Sequence, residues 1–278
     1  MAPPPPASMP LQQRLMHLAQ TLQFAWFCGH LTLLFCTLRY GLSYITFNYN
    51  SRWARFSYRL AFIAAAVTYG IVVYKAYRAR MRAGKQGSPI SMIADENVQY
   101  LIMALVWLSQ NQISLAILPF AVYSVFHVLT YTRTNLLPVL QPQPPTADGS
   151  KPKPSALSDT IGRFVKEYYD ASMTLVAILE IALWFRILGS AILFQKGSWF
   201  LLVCYSAFFR ARVGQSTFVQ QAIGHLSARI DAAVQNQSSP PAVRQAWETA
   251  KGLAKQATEA TDINKYVGGS AAGPKKAQ

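Results

Sequence analysis

Three long apolar blocks, each broken near its middle by a short polar turn, limit what this chain can fold into. They run from Leu22 to Tyr77, from Val98 to Tyr131 and from Met173 to Arg212. A bilayer core takes roughly 20 apolar residues per helical span. As one helix, Val98–Tyr131 would be about 51 Å long, too long for one crossing and short for two. Each block therefore reads as a helical hairpin. The breaks fall at Asn48–Trp53, Ser109–Gln112 and Gln195–Ser198, stretches rich in turn-forming residues.

Charged residues make up only 13% of the chain against 52% hydrophobic, and the charges lie almost entirely between and after the blocks. The fold class is an all-α integral membrane protein with about three transmembrane helical hairpins followed by cytosolic amphipathic helices. A polar, Pro-rich N-terminus with a short leading helix takes residues 1–20. Hairpins take 21–77, 98–131 and 173–212. A basic cytosolic loop takes 78–97, a Pro-rich cytosolic linker 132–172 and an amphipathic cytosolic tail 213–278. The limbs of the second block, about 15 to 20 residues each, suit either bare crossings or shallow membrane wedges. Three hairpins place both termini and both long connections on one side of the membrane. The N-terminus lacks the basic start and cleavage site of a secretory signal, so the first block serves as an uncleaved anchor.

The formal charge of +15 would suggest nucleic acid in a soluble protein. Here the strongest basic cluster, Lys75, Arg78, Arg80, Arg82 and Lys85, directly follows the first block. The positive-inside rule and anionic headgroups account for it, which makes the lipid bilayer the expected partner and not nucleic acid. Asp95-Glu96 suits the N-terminus of the next helix. The small run Ala64-Ala65-Ala66 allows close helix contact.

No HExxH, GxSxG, GxGxxG or phosphate-loop pattern occurs. Cys28, Cys36 and Cys204 all lie in apolar blocks, and His17, His30, His127 and His225 are far apart in the chain. No catalytic residue, metal site or cofactor is expected. The ionisable residues inside the blocks include Arg39, His127, Glu180 and Arg186. Such groups are costly in a membrane and often functional. They read either as a proton or ion path, which would make a small transporter or channel, or as a buried polar clasp in which Glu180 meets Arg39 or His127. Glu180 and Arg186 are six positions apart and face different directions on one helix.

Two amphipathic stretches follow the blocks. The first carries Phe218, Ala222, Leu226, Ile230 and Val234 on one face. The second carries Val243, Trp247, Ala250, Leu253 and Ala257, with Lys251 and Lys255 beside the polar face. This pattern suits the headgroup plane of a membrane, or packing on the protein's own surface or a partner helix. Lys275 and Lys276, third and fourth from the carboxyl end, match a dilysine ER-retrieval address on a cytosolic tail. Asn236-Gln237-Ser238 is a sequon that should stay unmodified there.

The stretch Glu96–Arg133 resembles the transmembrane protein 33 family, which includes yeast pore-membrane proteins. The matching pieces are Gln99-Tyr100-Leu101, Ile117-Leu118-Pro119-Phe120, His127 and Thr130–Arg133. Glu180-Ile181 and the aromatic, Arg-rich exit Tyr205–Val213 add to it. The resemblance implies a non-enzymatic protein of the endoplasmic reticulum membrane and nuclear envelope. That family acts in ER tubule and sheet organisation and in nuclear pore distribution or assembly. The implied partners are reticulon-type proteins and nuclear pore components. A soluble partner on the basic tail, such as a transport receptor, is a further reading.

Overall fold

A computed structural model describes residues 9–84, 92–142, 155–235 and 239–261, which are helical with no strand among them. Short polar residues start five of the described α-helices by accepting a hydrogen bond from an otherwise orphaned N–H. Thr21 caps α2 (Leu22–Ile45) through the Phe24 N–H at 3.1 Å. Ser51 caps α3 (Arg52–Arg82) through Ala54, also at 3.1 Å. Asp95 caps α4 (Glu96–Ser109) through Asn97 at 2.9 Å, with Glu96 in the first turn, so the acidic pair opens this helix. Before α2 lies the short α1 (Leu11–Ala19), bent from it by 81°.

The three hairpin turns fall where the sequence is polar. The first places Phe47 at φ 56°, the third places Phe194 at φ 51° and Gly197 at φ 79°. After the second turn a 3-10 turn at Ser114–Ala116 leads into α5 (Ile117–Tyr131), with Pro119 in its first turn. There Pro costs no internal hydrogen bond. The third hairpin joins α7 (Ala156–Ile192) to α8 (Ser198–Gln215).

The first hairpin is tight because Gly29 of α2 meets the small face of α3. A Cβ at Gly29 would lie 2.4 Å from Thr68 Cγ2, and Ala64 and Ala65 beside it are buried. Then α4 packs against α3, α5 against α2, and α7 against α5. Aromatic rings fill the space between. Phe62 meets Phe120 edge-on at 5.5 Å, Tyr69 stacks on Tyr100 at 5.4 Å, and Trp107 lies 5.7 Å from Tyr205. Such pairs add about 0.5–1.5 kcal/mol each beyond burial.

Two segments differ from the sequence expectation. The returning limb of the second block does not stop at Tyr131. It continues through a π turn at Thr132–Leu136 into α6 (Leu137–Leu140). Arg14 of α1 is buried there and donates to the Val139 carbonyl at 2.6 Å, a charge-assisted bond that holds this end in place. The third block begins earlier than Met173: α7 starts at Ala156, with Ser155 as its cap. Its 37 residues give a helix of about 56 Å. The first part carries Asp159, Arg163, Lys166, Glu167 and Asp170, which places it outside the apolar layer. Helix therefore occupies much of the expected linker at both ends, and residues 143–154 lie outside the described residues.

The chain divides into two compact units, residues 1–209 and 210–278. The first is the membrane bundle. In the second, α9 (Thr217–Val234) and α10 (Pro241–Ala260) pack together.

Candidate functional sites: charged ring, polar interior and tail

Arg39, His127, Glu180 and Arg186, the residues of the expected clasp, stand at separate helix contacts. Glu180, 1% exposed on α7, accepts from the Tyr100 hydroxyl of α4. The Tyr123 hydroxyl of α5 lies 3.2 Å from that of Tyr100. Tyr205 of α8 donates to the Glu180 backbone carbonyl at 3.0 Å. A polar clasp between helices thus exists, but phenols build it and not Arg39 or His127. Phenols suit the task because their rings bury well while the hydroxyl satisfies a carboxyl oxygen without adding a charge.

His127 stands elsewhere, on the α2–α5 contact. Its ring is 4.7 Å from that of His30, and Trp26 lies edge-on to both at 4.9 and 4.5 Å. The His30 Nδ1 is 2.9 Å from Ser124 Oγ, and that hydroxyl donates to the Phe120 carbonyl at 2.8 Å. Ser124 has one proton, so His30 Nδ1–H is the donor of this pair. The two histidines, 97 positions apart in the chain, meet only because α5 packs on α2. Among the described residues no group of three His, Cys, Asp or Glu could hold a metal ion.

Arg39 and Arg186 belong to the hairpin turns. Arg39 donates to Ser43 at 2.6 Å and Arg186 to Ser190, each one turn further along its own helix. Arg59 of α3 donates to the Leu108 carbonyl at the end of α4. Arg39 lies six residues before the end of α2, Arg186 six before the end of α7, and Arg59 seven after the start of α3. At 1.5 Å per residue all three sit about 9–11 Å from the turn end. Each is a cation about two turns in from its helix end, and Arg59 and Arg186 line one cavity. Sequence reasoning placed Arg39 and Arg186 in an intramembrane clasp or ion path because depth within each helix is not apparent until its ends are known.

At the opposite end, Lys75, Arg78, Arg80 and Arg82 occupy the last turns of α3, where cations suit the helix dipole. Arg80 pairs with Asp95 at 3.6 Å, and Arg78 lies 5.6 Å from the Tyr74 ring centre. Lys85 lies outside the described residues. Between Arg59 and Lys75, α3 has only Leu60–Tyr74 free of charge, an apolar length of about 22 Å. The short α4 beside it is 14 residues, or about 21 Å.

In the tail the structure engages two of the expected surface residues in helix pairing. Trp247 Nε1 donates to Asp231 Oδ1 at 2.6 Å, and Lys251 Nζ reaches the same oxygen at 2.9 Å and Glu248 at 2.8 Å. The Trp247 indole hydrogen bond, then the Lys251 ammonium, hold the Asp231 carboxyl below its usual range. Glu248 and Asp231 in turn raise Lys251. Arg210 closes this unit by donating to the Thr258 carbonyl at 2.9 Å and to the Thr261 hydroxyl at 2.7 Å. Phe218 and Ile230 are half-buried, while Leu226, Val243, Leu253 and Lys255 are exposed. The sequon and the terminal Lys275 and Lys276 lie outside the described residues.

Three helical stretches, Arg52–Arg82, Ser114–Leu140 and Ala156–Ile192, are long and apolar enough to cross a membrane, and the bent α1–α2 pair makes a fourth if it counts as one span. With exposed aromatics such as Phe47, Trp53, Phe194 and Trp199 at the turns, this is an all-α, multi-pass membrane protein. The chain belongs to the family described as Transmembrane protein 33/Nucleoporin POM33, whose model matches residues 4–259. It is 53% identical to Nucleoporin POM33 of Chaetomium thermophilum over 99% of both chains. It is also 32% identical to Tetra-spanning protein 1 of Schizosaccharomyces pombe, covering 87% of this chain and 86% of the relative. With the Pore membrane protein of 33 kDa of Saccharomyces cerevisiae it shares 30% identity, over 87% of this chain and 85% of the relative. No solved structure matches it.

Proposed function

We propose that this is a non-enzymatic protein of the endoplasmic reticulum membrane and nuclear envelope that favours curved or thinned membrane and supports nuclear pore distribution or assembly. The observation that carries the reading is the thin apolar belt. Arg39, Arg59 and Arg186 and the Lys75–Arg82 cluster bound a layer of about 22 Å along α3, against about 30 Å for an ordinary bilayer core. A belt shorter than the bilayer makes lipid thin around it or draws the protein to strained membrane. Pore rims and tubules are such membrane. The names of two relatives, a nucleoporin and a pore membrane protein, point the same way.

Both termini face the cytosol in this reading, with the basic end of α3 on the anionic leaflet and Lys275–Lys276 available for retrieval. The tail adds affinity through Leu226, Val243, Leu253 and Lys255, which remain exposed after α9 and α10 pair. Reticulon-type proteins and pore components are the partners that fit this place.

A transporter built on Glu180, Arg39 and His127 would need them along one path, and the three stand at separate contacts. In cells lacking the protein, clustered pores or a disturbed ER network are expected. The full chain should restore both, and a chain ending at Arg212 should restore them less well. Normal pores together with a normal network would refute the proposal.

A further inference from the structure

We propose that the turn end of the membrane bundle holds a site for a phosphate-bearing anion, and that its ligand is the headgroup of an acidic lipid in the leaflet at that end. A cavity of about 680 Å³ opens there, lined by Arg55 and Arg59 of α3, Arg186 of α7, Asn111 and Gln112 of the second turn, and Tyr44 of α2. No carboxylate lines it. None occurs anywhere in residues 37–60, 108–116 or 186–200, the segments that make this end. Three guanidiniums in one cavity, with no acid to offset them, repel one another unless an anion joins them.

A second observation points to an acceptor. The Gln112 Nε2 is buried and has no hydrogen-bond partner. A stranded buried donor costs about 1–3 kcal/mol, and a phosphate oxygen would satisfy it. The segment carrying Gln112 is fixed in place. Tyr58 accepts from the Ile113 N–H at 3.1 Å, and the Tyr40 hydroxyl lies 2.9 Å from that of Ser114. Arg59 and Arg186 each use one donor on Leu108 and Ser190, and a guanidinium has five. Their remaining donors suit the bidentate recognition of phosphate oxygens.

Depth argues for a lipid over a soluble phosphate. Arg59 and Arg186 lie about 9–11 Å from the helix ends, at the edge of the apolar belt, and Arg55 about 5 Å from the start of α3. Tyr44 pairs with Tyr49 at 5.4 Å beside the cavity, and exposed Trp53 and Phe56 follow on α3. Such aromatic girdles mark headgroup level.

The test uses the full-length protein in phosphatidylcholine nanodiscs with and without phosphatidic acid. Retained lipid is counted by native mass spectrometry, and stability is followed by thermal unfolding. The wild type should retain phosphatidic acid and unfold at a higher temperature with it. Arg55→Gln with Arg186→Gln should lower retention at least tenfold. Gln112→Glu, which brings a carboxylate in without removing an arginine, should lower it similarly. The charge-matched pair Arg163→Gln and Lys166→Gln should retain it as the wild type does. Equal retention by the cavity variants and the wild type would overturn the site. Stabilisation by glycerol phosphate in phosphatidylcholine alone, with no preference for phosphatidic acid, would overturn the lipid assignment.

Discussion

Gly29 sets how closely α2 and α3 approach, because its missing Cβ is filled by the Thr68 methyl. Gly29→Ala should destabilise the protein by about 1–3 kcal/mol through overpacking, read as a lower unfolding temperature in detergent. Thr68→Ser removes that methyl and keeps the hydroxyl that donates to the Ala65 carbonyl. The double variant should recover most of the loss, whereas additive losses would exclude direct contact as the cause. At Glu180 the same logic separates a clasp from an ion path. Glu180→Leu removes the buried carboxyl that accepts from the Tyr100 hydroxyl and should cost about 1–3 kcal/mol. Glu180→Gln keeps an acceptor and should lose clearly less. Reconstituted wild type and Glu180→Gln should show the same ion flux as protein-free liposomes, and flux above that level would restore the transporter reading.

Elements show how much came from local pattern. Asp95, read in the sequence with Glu96 as the opening of a helix, caps α4, whereas the caps Thr21, Ser51 and Ser216 were not singled out. The ends of the linker were not legible. Thr132–Leu140 and Ala156–Ser172 are polar enough to read as loop, yet Arg14 holds the first and Tyr169 meets Phe126 at 5.8 Å from the second. In the tail, both stripes were visible, but not that Trp247 would turn toward Asp231. That pairing has a pH signature. Asp231 is held below 3.8, so its contribution is present above that value and is lost as pH falls through the lower folded value. Lys251 is raised above 10.5, so its contribution is present below that value and is lost as pH rises through the higher one. The α9–α10 contact should therefore be insensitive to pH between about 4 and 10. Amide exchange in Thr217–Val234 and Pro241–Ala260, taken relative to the intrinsic rate at each pH, should increase only outside that window. Asp231→Asn should increase it at neutral pH, and unchanged exchange would show that the stripes alone hold the pair.

At the scale of the molecule, the apolar belt predicts a preference for bilayer thickness. In nanodiscs of saturated or monounsaturated phosphatidylcholine, the protein should unfold at a higher temperature with 14-carbon than with 18-carbon chains. A preference for the thicker bilayer would contradict a belt of about 22 Å. The membrane class and the places of the three polar turns came from the sequence, because segment length and apolar content act locally and each helix satisfies its own backbone. Family membership was legible for a similar reason, since its motifs are runs of neighbouring residues. The tertiary structure alone decided which polar groups meet. Glu180 finds Tyr100 and Tyr205, His30 finds His127, and Arg55, Arg59 and Arg186 gather in one cavity. These partners are distant in the chain, and their meeting depends on which helix faces pack together, a choice made by many weak contacts spread over the whole bundle.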